Sequence, residues 1–279
     1  MKITDIKLEP CIMRKEDPTW RFALGASPIT EGLIVSIETN EEITGYGYAS
    51  ATAHMGASME GLTGTLQRLI PHVKEHDALS MASIRVTMDR ALSGNNQAKA
   101  AIDNALFDLA AKSMNVPLHR LFGGAVRTEF PVLRILAIKQ PDEMAEQAQI
   151  LFDQGYRYFK IKVHGEVDLD IARVATIRKR LGDEANLTVD ANQAYSPKGA
   201  IAALNGMAEY RLDLVEQPVA IDDYKGMKLV TDSVPVTVEA DESAGSIQEV
   251  AYLVEHRIVD ALSLKVAKLG GLWNTLTAA

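Results

Sequence analysis

The sequence predicts an α/β protein: a (β/α) barrel preceded by an α+β region. Two observations carry this. From residue 127 onward, short apolar strands alternate with amphipathic helices. Strands that read as near-continuous apolar runs belong to parallel sheets covered on both faces. Charged residues at the strand ends also recur evenly. Lys162 to Asp190 is 28 residues, Asp190 to Glu216 is 26, Glu216 to Asp241 is 25 and Asp241 to Lys265 is 24. One βα unit of a barrel has about that length, since about 250 residues make eight. A doubly wound sheet is the alternative. No Gly-rich phosphate loop follows a strand, which weakens its nucleotide-binding form.

The elements follow in order. "ITDIKLEPCIM", "EGLIVSIETN" and "ITGYGYASA" read as three strands, the last two joined by "TNEE" as a hairpin. Three helical stretches come next. The clearest covers residues 95 to 112, where Ala98, Ala101, Ile102, Ala105, Leu106 and Leu109 share a face. "NVPLHRLFGG" breaks it. The barrel strands are "PVLRILAI", "YFKIKV", "NLTVDAN", "LDLVEQP", "PVTVEADES" and "DALSLKVAK". Pro141 with Asp142 and Glu143, Ser196-Pro197, and the Ser246/Glu249 capping box open helices between them. Gly155 and Gly182 close two of these helices. A capping domain over 1–126 and a barrel domain over 127–279 with strands 1 to 6 are therefore expected.

Composition narrows the function. A net charge of −8 without a basic cluster argues against nucleic acid as a partner. Cys11 is the only cysteine, so neither a disulfide framework nor a thiolate metal site is available, and a reducing cytoplasm is the expected location. No apolar run is long enough for a membrane span, and the N-terminus lacks the apolar core of a signal peptide.

The chemistry lies at the strand ends, where the active sites of barrels sit. Lys160 and Lys162 lie on strand 2 and point to one face. Asp190, Glu216 and Asp241 end strands 3, 4 and 5, and Lys265 lies on strand 6. Three converging carboxylates repel, by about 4 kcal/mol per pair at 4 Å and an effective dielectric near 20. A hard divalent cation removes that conflict. An all-oxygen donor set favours Mg2+, with Mn2+ or Ca2+ as alternatives. The competing reading has each acid capping a helix or pairing with a surface lysine. Beside the like charge of Lys160, Lys162 is expected to have a lowered pKa and so to serve as a general base. The cation would hold a substrate carboxylate and stabilise the enediolate formed when the α-proton leaves, with Lys265 on the other face. Lys268 is weighed as a substrate-binding residue against a solvated lysine at a helix start.

In their order and spacing, "KIK", "VDAN", "VEQP", "ADES" and "LKVAKLGG" resemble the enolase superfamily, muconate-lactonizing-enzyme subgroup. The resemblance covers essentially the whole chain and implies a barrel of the enolase type capped by the N-terminal region. It implies Asp190, Glu216 and Asp241 as Mg2+ ligands, Lys162 and Lys265 as opposed acid/bases, and Lys160 as the neighbour that tunes Lys162. Asn192 and Glu242 match supporting or substrate-carboxylate positions. Loops around Trp20 to Gly25 and His54 to Gly56 would contact the distal part of the substrate. The implied activity is racemisation or epimerisation of an amino-acid derivative or dipeptide, or cycloisomerisation. The chain ends after strand 6, where the family continues for two more units, and the open strand edges make a homo-oligomer the expected state. The alternative function is a truncated, non-catalytic metal-binding protein that self-associates or is completed by another chain. A lysine Schiff-base aldolase would explain neither the three acids nor the second lysine.

Overall fold

The computed structural model describes residues 1–279. The chain divides into two compact units, Met1–Arg14 with Ile29–Thr128 and Leu264–Ala279, and Lys15–Pro28 with Glu129–Ser263. No helix is long and apolar enough to cross a membrane.

The first unit is built on an antiparallel sheet of β1 (Ile3–Arg14), β4 (Ile29–Thr39) and β5 (Thr44–Ser50), in the order β1-β4-β5. Pro10 is tolerated because β1 is an edge strand with one partner. Helices α1 (Met59–Val73), α2 (Met81–Ala91) and α3 (Asn96–Ser113) follow. The sequence predicts one apolar face on α3. Instead it is buried on nearly all sides, because it packs on β4 and β5 and also on α1 and α2. Small residues permit this. Gly45 and Gly47 of β5 alternate onto the side that meets α3, and a Cβ on Gly47 would overlap the Ala101 carbonyl. Gly47→Ala is expected to cost about 1–3 kcal/mol through overpacking, checked by urea denaturation. The unit ends in two short helices, α9 (Val266–Leu269) and α10 (Leu272–Ala278), both packed on α3.

The second unit holds six parallel strands. These are β6 (Leu133–Leu136), β7 (Tyr158–Lys162), β8 (Asn186–Asp190), β9 (Leu212–Glu216), β10 (Thr237–Ala240) and β11 (Ala261–Leu262). Helices α4 (Pro141–Asp153), α5 (Val167–Leu181), α6 (Pro197–Met207), α7 (Tyr224–Ser233) and α8 (Ile247–Glu255) connect them. The strand order is strictly sequential, with no switch point, which is barrel progression and not a doubly wound sheet. The start signals act as read. Pro141 and Pro197 begin α4 and α6, and the Ser196 and Ser246 hydroxyls accept from the Gly199 and Glu249 amides. Residues 15–28 include a two-stranded ribbon, β2 (Arg21–Phe22) with β3 (Gly25–Ala26), which the sequence reading misses. It joins this unit through the Ile138 amide, which donates to the Arg21 carbonyl, and through a Lys139–Asp17 ion pair at 3.0 Å.

One strand-end position needs correction. Strand β11 stops at Leu262, so Lys265 lies on no strand but at the N-cap of α9. After the Ser263 amide bonds the Ala240 carbonyl the ladder with β10 ends and the chain turns into the helix.

Candidate active site

The registers of the second unit place the charged residues together. Lys162 pairs with Asp190 across β7 and β8, and Asp190 pairs with Glu216 across β8 and β9. Glu216 pairs with Glu239, and Asp241 follows the end of β10 close enough for its charge to act on Glu216. Asp190, Glu216 and Asp241 are 2%, 1% and 2% exposed. So much negative charge away from water needs a counter-charge. In this structure the lysines supply it. Lys160 Nζ bonds Glu216, and Lys162 Nζ donates to Asp190 Oδ2 at 2.5 Å and to Asn192 Oδ1 at 2.6 Å.

Lys160 is tied to Glu216 while standing two residues from Lys162. Burial alone would lower its pKa, but the Glu216 charge and hydrogen bond, with Asp190 and Glu239 behind, hold it above the ordinary lysine value. Glu216 is pushed the other way, up to about 7, by burial first and then by the Asp190 charge, partly offset by Lys160. Glu242 is also raised, by burial and then by Asp241.

The loops beyond the strands hold this arrangement in strained backbone. Asn192, Gln193 and Gln217 follow the acids with φ of 40°, 72° and 39°, the left-handed region that non-glycine residues avoid. Hydrogen bonds over-determine them. Asn192 Nδ2 and Gln193 Nε2 both donate to Glu242 Oε1, at 3.1 and 3.3 Å. Gln217 is fully buried. Its Oε1 accepts from the Asp241 and Ser243 amides, and its Nε2 donates to Ser243 Oγ and the Val219 carbonyl. Gln217 thereby fixes Asp241, a role the sequence reading misses although the residue lies inside "VEQP".

A second missed feature is a buried network behind β7. The Asp170 carboxylate accepts from the Gly165 amide at 2.9 Å, Tyr195 Oη at 2.7 Å and Arg173 Nη1 at 2.6 Å. It joins the loop after Lys162 to the loop after Asn192. Acids in the first turn of α5 were its only sequence signal. Residues 15–28 contribute as well. The Lys162 ammonium lies 5.8 Å from the Phe22 ring, and Lys15 Nζ lies 4.9 Å from the Trp20 ring. Burial and then the Lys162 charge lower the Lys15 pKa. Lys265 and Lys268 belong to the first unit. Lys268 is 5% exposed, so it is not the solvated lysine of the alternative reading.

No three acids stand grouped as a finished metal cage, since Lys160 and Lys162 occupy two of them. The donor set nevertheless fits a hard divalent cation. It is all oxygen, buried and self-repelling, and the Glu242 Oε2 beside it is buried with no hydrogen-bond partner.

Known proteins share this architecture. The mandelate racemase/muconate lactonizing enzyme N-terminal domain matches residues 10–123, and the enolase C-terminal domain-like family matches 143–279. N-succinyl-L-Arg/Lys racemase of Bacillus cereus is 33% identical over 282 residues, covering 100% of this chain and 76% of the racemase. The dipeptide epimerase of Enterococcus faecalis V583, solved with Mg and the dipeptide L-Leu-L-Tyr, has a TM-score of 0.95 at 34% identity, covering 100% of this chain and 78% of that one. The muconate lactonizing enzyme of Pseudomonas fluorescens, solved with muconolactone, has a TM-score of 0.95 at 28% identity, covering 99% of this chain and 76% of that one. Carried by strand-end motifs, a sequential parallel sheet and matches along its whole length, the chain belongs to the mandelate racemase/muconate lactonizing enzyme family of the enolase superfamily.

Proposed function

We propose that the protein interconverts stereoisomers of an N-acylated amino acid or a dipeptide, taking the proton α to the carboxylate from one face and returning it on the other. The observation that carries this is the row Lys162–Asp190–Glu216, a lysine set in register with two buried acids. Asp190, Glu216 and Asp241 are the residues that would hold Mg2+. When bound, the cation supplies the positive charge that an enediolate requires. Lys162 Nζ, aimed by Asn192, is the base on one face. Lys160 is tied to Glu216 and held above the ordinary lysine pKa, so it keeps its proton and serves as a fixed positive neighbour. Lys265 is assigned the opposite face. The racemase and epimerase relatives support this substrate class. Cycloisomerisation runs on the same α-proton chemistry with one working lysine, and the likeness to the muconate lactonizing enzyme supports it.

The test is proton NMR in D2O with Mg2+ and N-succinyl-L-lysine, L-Ala-L-Glu and L-Leu-L-Tyr. The expected result is loss of the α-proton signal together with appearance of the other stereoisomer. Exchange without inversion would move the assignment to one-base chemistry. No exchange with any of the three, in Mg2+ or Mn2+, would retire the proposal.

A further inference from the structure

The base assigned to the second face sits in a segment with little structure of its own. Lys265 is the N-cap of α9, and its carbonyl accepts from the Leu269 amide at 3.2 Å. A four-residue helix does not hold its own shape in water. It ends in Gly270 and Gly271, with φ of 88° and 124°, and its last carbonyls need outside partners.

Those partners are side chains of the first unit. Asn96, at the start of α3, donates from Nδ2 to the Lys268 carbonyl at 2.9 Å. Asn274 donates to the Leu269 carbonyl at 2.8 Å and accepts from Arg85 Nη2 of α2 at 2.8 Å. Asp103 lies seven residues beyond Asn96, two turns along the same face of α3. It is 1% exposed and receives the Trp273 amide at 3.5 Å. A Cβ on Gly271 would overlap its carboxylate, so the turn can approach α3 this closely only with glycine there. Burial pushes the Asp103 carboxyl up to about 6, against the pull of the Trp273 and Leu272 amides and Arg85, so at neutral pH it remains an ionised acceptor. Lys268 and Leu269 are buried in consequence, at 5% and 1% exposure.

We infer that Asn96 and Asp103 of α3 are positioning residues for Lys265, gripping the α9–α10 turn so that its N-cap lysine keeps one place. The inference rests on the assignment of Lys265 as the second base. It extends that assignment by making two side chains of α3 set the place of Lys265. The bonds that fix Lys162 come from Asp190 and Asn192 in the other unit, so disturbing α3 should fall on Lys265 selectively.

Asn96→Asp tests this, because it sets an acceptor where the Lys268 carbonyl now receives a donor. Two readouts are taken on the full chain. In the first, lysine acetylation by acetic anhydride is followed residue by residue with mass spectrometry. The Lys265 rate should change severalfold while the Lys160 and Lys162 rates hold. In the second, α-proton exchange in D2O is measured from each stereoisomer of the substrate. It should fall about tenfold or more from one stereoisomer and little from the other, as expected when a reacting group is misplaced by about 1 Å. An unchanged Lys265 acetylation rate, or an equal fall from both stereoisomers, overturns the inference. If Asn96→Asp fails to fold, Asn96→Ala, which removes the donor without adding an acceptor, takes its place under the same criteria. A wild-type protein that exchanges no substrate refutes the proposed function, and the acetylation result then decides the positioning claim by itself.

Discussion

Lys162→Ala is expected to lower α-proton exchange by about 10²–10⁴-fold while Mg2+ binding survives. The loss corresponds to about 3–5 kcal/mol of transition-state stabilisation. Metal binding survives because removing Lys162 takes a competing cation from Asp190 and leaves that carboxylate its bond from the Asn192 amide at 3.0 Å. The loss should also be one-sided. Exchange from the stereoisomer handled by Lys162 disappears, whereas Lys265→Ala removes exchange from the other. Lys160→Ala is the contrasting variant. It strips the counter-charge from Glu216, a carboxyl that burial and Asp190 already raise to about 7, so it should lower stability without Mg2+, whereas metal binding, freed of a competing cation as at Asp190, should survive. Calorimetric Mg2+ titration with stereoisomer-resolved exchange checks the set. If Lys162→Ala kept full exchange, or lost metal binding together with exchange, Lys162 would be a structural partner of Asp190 and not the base.

What the sequence shows of this site follows from how a parallel barrel is built. Each βα unit brings one strand end to the same place, so chemistry spread over about 100 residues leaves an even spacing along the chain. Lys162, Asp190, Glu216 and Asp241 are legible for that reason. The register that puts the first three in one row is not legible, because it depends on strand pairing and not on spacing. The charge state of Lys160 is hidden for a similar reason. Two lysines at i and i+2 suggest mutual repulsion, and only the neighbouring strands show that each faces an acid. Lys265 shows where spacing fails. The apolar run "DALSLKVAK" reads as a full strand, yet the ladder with β10 holds only Ala261 and Leu262, and the lysine falls beyond it. The ribbon of residues 21–26 has strands of two residues, too short for any alternation to register.

Asp170→Ala should cost about 3–5 kcal/mol in unfolding free energy, as removal of one partner from a buried ion pair does. The carboxylate is fully buried, and it is where two loops of the site meet. Its removal strands the Arg173 guanidinium, which is itself 2% exposed and keeps the Lys139 carbonyl at 2.9 Å as a neutral partner. It also strands the Gly165 amide and the Tyr195 hydroxyl, whose pKa is raised by burial and then by the Asp170 charge, so that it stays a donor. Arg173→Met should cost less, about 3 kcal/mol at the low end of that range, because Asp170 loses its cation but keeps the Gly165 and Tyr195 donors. Urea unfolding of the two variants measures this asymmetry. Equal costs would mean that the ion pair alone matters and the loops do not depend on Asp170. The loop that begins at Val163 follows Lys162 directly, and Tyr195 lies three residues after Asn192, so the same variant should slow exchange as it loosens the fold. A loss of exchange that tracks the loss of stability would tie the placement of Lys162 Nζ to Asp170, acting through the two loops it holds at Gly165 and Tyr195.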